Sequence, residues 1–241
     1  MHTTDIEYTV DGRSMVGYLA LDEEREGRRA GVLVAHGGLG LDDHARARAR
    51  RLAGLGYVAF ALDYHGDGRA LPKQEAFARL GELMGDPLRI RAIGQAGLDV
   101  LLAQEQTDRG RVAAIGYCFG GTMALELARG GADLGAVVGF HSGLATTRPD
   151  DAKQIRGSIL VCLGADDPLV PVDQRRAFEE EMRVAGVDWQ MNLYGGAVHS
   201  FTDERAGQSG IEGLAYHRQT DERSWRAMLD LFAERFADSR G

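Results

Sequence analysis

Three segments of this sequence carry side chains suited to nucleophilic chemistry. In "AAIGYCFGGTMALELA" an apolar run turns through glycines at Cys118 and continues with helical period. Gly116, Cys118, Gly120 and Gly121 form the pattern G-x-C-x-G-G, which matches the nucleophile elbow G-x-S-x-G with sulfur in place of oxygen. A nucleophile on such a strained strand-to-helix turn needs small neighbours two residues away on each side. The helix opening at Phe119 would add free N–H groups that favour negative charge on a thiolate and on a developing oxyanion. An accessible, acidic thiol is the expectation.

A nucleophile of this sort needs a base, and the base needs an orienting carboxylate. "LVCLGADDPLVP" ends an apolar strand with Asp166 and Asp167, and the run G-x-x-D-x-x-V-P from Gly164 to Pro171 selects Asp167. Asp166 is the alternative, and capping of the next helix is the competing role for both. "LYGGAVHSF" then places His199 on a glycine-rich turn after the last strand, downstream of the acid, where a general base belongs. A second oxyanion donor besides the Phe119 N–H is sought in "AHGGLG", where Gly38, with Gly37 next in line, would offer its backbone.

Other chemistries fit less well. A dinucleotide fingerprint needs Gly where Cys118 stands, and the next strand, "AVVGFHSG", ends without an acidic ribose ligand. His36, His65 and His141 follow strand ends, but none lies in H-x-x-x-H spacing and no carboxylate completes a ligand set, so no metal is expected. Cys162, in mid-strand, reads as a core residue.

The elements that must position these groups alternate along the chain. "DIEYTV" and "MVGYLAL" flank an Asp-Gly turn as a hairpin. "AGVLVAHGGLG", "YVAFALDYHG", "RVAAIGYC", "LGAVVGFHSG", "GSILVCLGADD" and "DWQMNLYGG" read as apolar strands separated by helices, with "ERSWRAMLDLFAERF" as the closing helix. The stretch Asp67 to Asp86 reads as irregular because of Pro72, and Asp203 to Gly213 as a glycine-rich loop. This alternation predicts a mostly parallel, doubly wound sheet with helices on both faces and an antiparallel hairpin at its edge, in one domain over residues 1–241.

Composition agrees with an enzyme-sized globular body: 44% hydrophobic and 27% charged residues in 241, with net charge −8. An acidic chain argues against nucleic-acid binding. The basic run "HARARARR" reads as the wet face of a helix buried through Ala45, Ala47, Ala49, Leu52 and Ala53. Two cysteines, a polar amino terminus and the lack of a run long enough to span a bilayer make a reducing cytoplasm the expected location and exclude a membrane partner. Oligomeric state is left open.

Together the segments "GVLVAHGGLGLDD", "RRLAGLGYVAFALDYHGDG", "GYCFGGTMALELA", "GADDPLVP" and "GGAVHSF" resemble the dienelactone hydrolase family of α/β-hydrolases over most of the chain. The resemblance implies an α/β-hydrolase fold, no cofactor, and a small-molecule ester or lactone as substrate. It implies attack by Cys118, proton transfer by His199, orientation by Asp167, and an oxyanion hole of the Gly38 and Phe119 N–H groups, through a thioester. Dienelactone hydrolases proper carry a Glu at the place of Gly37 that keeps the thiol protonated until substrate displaces it; without it, a Cys118–His199 pair partly ionised at rest is expected. They also carry an Arg at the place of Asp203 and another near Arg69 or Arg79, for the substrate carboxylate, so neutral substrates are expected here. The same triad would serve an acyltransferase or a thioesterase, and a non-catalytic small-ligand binder is the reading from another class.

Overall fold

The computed structural model describes residues 1–237. An Asp11–Gly12 turn, with φ of +50° and +77°, joins β1 (His2–Val10) to β2 (Arg13–Leu21) as an antiparallel hairpin. Six further strands follow: β3 (Arg29–Ala35), β4 (Val58–Leu62), β5 (Thr107–Tyr117), β6 (Ala136–Phe140), β7 (Ser158–Gly164) and β8 (Trp189–Tyr194). They pair in parallel, and the eight-stranded sheet runs β1-β2-β4-β3-β5-β6-β7-β8. This is the α/β-hydrolase architecture with its antiparallel edge. β4, β6 and β7 are buried at every position, as continuous apolar strands covered on both faces must be.

Helices cover each face over a separate apolar layer. α1 (Asp43–Gly54) and α6 (Arg218–Arg235) pack Ala45, Ala49, Leu52, Trp225, Met228 and Phe232 against one side. On the other side lie α2 (Lys73–Leu83), α3 (Pro87–Leu102), α4 (Phe119–Arg129) and α5 (Val172–Ala185). Asp42 caps α1 by accepting the Ala45 N–H at 3.0 Å, and Asp86 caps α3 with Pro87 as the first helical residue.

Two local expectations need correction. The segment 67–86 is not irregular throughout, because α2 forms within it; Pro72 stands just before the helix, where its fixed φ and missing N–H do no harm. Nor do all the arginines of α1 face water. Helical spacing puts Arg48 on the same stripe as Ala45, Ala49 and Leu52, so Arg48 is buried and Ala47 exposed. Its guanidinium is met by Asp221 of α6, with Nη2 donating to the two carboxylate oxygens at 2.7 and 2.9 Å.

Candidate active site

Cys118 sits at the bend between β5 and α4 with φ 53° and ψ −124°, a region that side chains other than glycine occupy only under strain. The flanking glycines are there for close approach: a methyl group on Gly116 would collide with the carbonyl of Gly120, and one on Gly120 with the carbonyls of Ala35 and His36. No side chain caps α4, so the Phe119 N–H is left for the sulfur. The thiol is half-buried, while Cys162 is fully buried in β7.

The turn after β8 brings His199 over this bend. Its N–H donates to Gly213 O and its own carbonyl accepts from Ala215 N, both at 3.1 Å, a one-residue parallel bridge that holds the loop end. Nδ1 donates to Asp167 Oδ2 at 2.8 Å, and Asp167 Oδ1 accepts the Leu169 N–H at 2.8 Å. Asp166, the alternative acid, instead accepts the Gly196 N–H at 3.1 Å. His199 Nε2 is buried without a conventional hydrogen-bond partner, and the group its charge couples to is the Cys118 thiol.

Burial alone would push the Cys118 thiol up, but the His199 imidazolium outweighs it. The backbone N–H groups of Phe119 and Gly38 help, so the thiol lies below its ordinary value. Burial pulls the other way on His199; the thiolate charge and the Asp167 carboxylate overcome it and raise the imidazole above its ordinary value. The two backbone donors that favour the thiolate thus come from the loop after β3, with Gly38, and from the first residue of α4, Phe119.

The loop after β3 that carries Gly38 is held by its carbonyls. The Tyr64 hydroxyl donates to Gly37 O at 2.8 Å, His36 Nδ1 donates to the same oxygen at 2.7 Å, and His65 Nε2 donates to Gly38 O at 2.9 Å. Burial and the neighbouring His36 push His65 down to about 4, so it is a neutral ring and a constant donor through Nε2. Next to Tyr64, the buried Asp63 carboxylate gathers the N–H groups of Val16, His65, Gly66 and Gly68.

His141, at the end of β6, backs the bend from below with a φ of 42°. Its Nδ1 accepts the Cys118 N–H at 3.2 Å, which leaves Nε2 to donate to Thr202 Oγ1 at 2.8 Å, and its ring meets that of His199 edge-on at 5.0 Å. Burial and the His199 charge keep it well below its ordinary value, in agreement with that neutral tautomer. Arg48 Nη2 holds Thr202 O at 2.8 Å, tying the His199 loop to the Arg48–Asp221 pair. Sequence patterning singled out His141 only as a strand-end histidine and missed Thr202, Arg48 and Tyr64, whose partners are far away along the chain.

No group of three or more His, Cys, Asp or Glu side chains is arranged to hold a metal ion among the described residues. No helix among them is long and apolar enough to cross a membrane. Arg79 donates to Asp67, Glu75 and the His65 carbonyl, and the exposed Arg69 lies 3.8 Å from Asp67. Asp203 is paired with Arg205, the two being 3.6 Å apart.

Comparison with known proteins agrees with this architecture. The chain is 51% identical to the solved structure of the protein called m3DLH, with a TM-score of 0.94, covering 97% of this chain and 98% of that one. A dienelactone hydrolase-like promiscuous phosphotriesterase from metagenomic libraries is 45% identical, with a TM-score of 0.93 over 97% and 98% of the two chains. A putative carboxymethylenebutenolidase of Yersinia pestis is 23% identical over 97% of this chain and 89% of its own. The family model for dienelactone hydrolases matches residues 15–236, and on that span the chain belongs to the dienelactone hydrolase family, as a hydrolase of α/β architecture.

Proposed function

We propose that this hydrolase cleaves neutral carboxylic esters or lactones with Cys118 as nucleophile. The observation that carries the reading is the Asp167–His199 hydrogen bond beside the strained Cys118 bend, with the thiol lowered by the His199 charge and by the N–H groups of Phe119 and Gly38. The thiolate attacks the carbonyl carbon, and the oxyanion that forms is held by the Phe119 and Gly38 N–H groups. On collapse the C–O bond breaks, the leaving alkoxide takes the proton from His199 Nε2, and a thioester on Cys118 remains. His199, now neutral, takes a proton from water as it adds to the thioester carbonyl. Collapse of the second oxyanion breaks the C–S bond, releases the acid and restores the thiolate–imidazolium pair.

Preference for neutral substrates is supported by the charges around the site. The guanidinium of Arg79 is already met by two carboxylates, and Asp203 stands where the family places an arginine for a substrate carboxylate. A second reading has its own support: the 45% identical relative is described as a phosphotriesterase, and a thiolate flanked by two N–H donors suits a phosphoryl oxygen as well as a carbonyl.

The test is turnover of short-chain nitrophenyl esters, neutral lactones, carboxylate-bearing lactones and a nitrophenyl phosphotriester, before and after thiol alkylation. Mass spectrometry of the trapped adduct locates the acyl group. Loss of ester turnover on alkylation and an acyl mass on Cys118 are expected; full activity of Cys118→Ala would end the reading. Adding an alcohol as competing acceptor separates hydrolysis from acyl transfer.

A further inference from the structure

The Gly38 N–H can serve an oxyanion only if its peptide is held in one orientation, and the donors that the loop itself brings to the Gly37 oxygen, His36 Nδ1 at 2.7 Å and the Gly40 N–H at 3.2 Å, do not tie that peptide to the sheet. Gly37 and Gly38 bring no side chain, and the space where a Cβ of Gly37 would lie is empty to 4 Å. A trans peptide is planar, with its C=O and N–H pointing in opposite directions, so whatever anchors the Gly37 oxygen aims the Gly38 hydrogen.

We propose that Tyr64 is a positioning residue of the oxyanion hole: its hydroxyl, 2.8 Å from Gly37 O, fixes the peptide between Gly37 and Gly38 with its N–H toward the Cys118 sulfur. The inference rests on the reading of Cys118 as nucleophile and deepens it. His36 Nδ1 also donates to that oxygen, at 2.7 Å, but His36 belongs to the same loop and moves with it. Tyr64 comes from the end of the neighbouring strand β4 and ties the loop to the sheet.

Its ring does more than carry the hydroxyl. It stacks on the His36 ring at 3.7 Å and lies 5.5 Å from the ring of Phe119, the residue whose N–H is the other donor. One buried side chain thus braces both halves of the hole. The seat is rigid, because the adjacent Asp63 carboxylate takes four backbone N–H groups. Burial, with the Cys118 charge behind it, keeps the phenol far above its ordinary range, so the donor keeps its hydrogen at any working pH.

Tyr64→Phe keeps the ring and removes only the donor; Tyr64→Met fills the volume without ring or hydroxyl. Both are compared with wild type on a nitrophenyl ester, with rates normalised by active-site titration so that unfolded molecules drop out. For Tyr64→Phe we expect kcat to fall about tenfold or more with KM within about twofold. The pH midpoint of Cys118 alkylation should rise, since the Gly38 N–H also stabilises the thiolate. Wild-type kcat per titrated site and an unmoved alkylation midpoint in both variants overturn the proposal. A lower titratable fraction with unchanged turnover per site also overturns it, because that is a purely structural role. Cys118→Ala is run alongside: its inactivity with a normal Tyr64→Phe rejects this inference alone, while its full activity rejects the nucleophile reading itself.

Discussion

His199 and Asp167 are joined by an Nδ1-to-Oδ2 hydrogen bond of 2.8 Å between two buried side chains, with the other carboxylate oxygen tied to the Leu169 N–H. The bond fixes the tautomer, so Nε2 is the nitrogen left facing the sulfur. Asp167→Asn can present an amide N–H to Nδ1 and turn the tautomer around. We expect kcat to fall by roughly 10³–10⁴ with KM little changed, measured on a nitrophenyl ester, while the melting temperature moves by only a few degrees.

The charge pair predicts a pH profile. Because the His199 charge lowers the thiol, alkylation of Cys118 should reach its plateau below the pH at which an ordinary cysteine does. His199→Gln removes the imidazolium and should move the midpoint upward, as followed by iodoacetamide rates from pH 5 to 10. Ester turnover should rise on that same acidic limb and fall again at alkaline pH, above the ordinary histidine range, as the raised His199 loses its proton. A Cys118 midpoint that is the same in both proteins would contradict the coupling.

Arg48 and Asp221 form a buried pair, their side chains 9% and 12% exposed. Removing one partner leaves a charge without compensation, so Arg48→Met should cost about 3–5 kcal/mol in urea unfolding at neutral pH. The double variant Arg48→Met, Asp221→Leu should regain most of that loss. Since Arg48 also holds Thr202 O, the single variant should slow turnover by loosening the His199 loop, an effect that the stability-restoring double variant does not repair.

Acid stability should depend on Asp63. Burial raises this carboxyl, but His36 and the backbone N–H groups around it prevail and hold it at about 2, below its ordinary 3.8. A lowered folded-state value stabilises the fold above pH 4, and this contribution is lost as the pH falls from 4 toward 2. The shift corresponds to about 2 kcal/mol. Asp63→Asn should therefore be less stable than wild type at pH 7 by at least about that amount, and urea midpoints of the two should approach each other toward pH 2.

Much of the site was legible because its parts announce themselves locally. G-x-C-x-G-G gives a bend whose glycines have a steric purpose, and G-x-x-D-x-x-V-P distinguishes Asp167 from Asp166, the first reaching His199 and the second a turn N–H. The α2 helix was hidden behind Pro72, which looks like a breaker and is a start. Arg48 and Tyr64 were not legible at all. Arg48 meets an acid 173 positions away, and the role of Tyr64 follows from β4 lying beside β3 in the sheet. Local patterns name the candidate groups; what braces them is decided by which strands become neighbours.

Each of the six parallel strands delivers one of these groups at its carboxyl end: Tyr64, Gly38, Cys118, His141, Asp167 and His199 follow β4, β3, β5, β6, β7 and β8, in the lateral order of the sheet. The constellation is thus a row of fingertips along one rim, with its spacing set by inter-strand distance and not by any single loop. Neighbouring fingertips also touch, Tyr64 with Gly37, Cys118 with His141 and Asp167 with His199, so redesigning one loop would be felt first by the group on the adjoining strand.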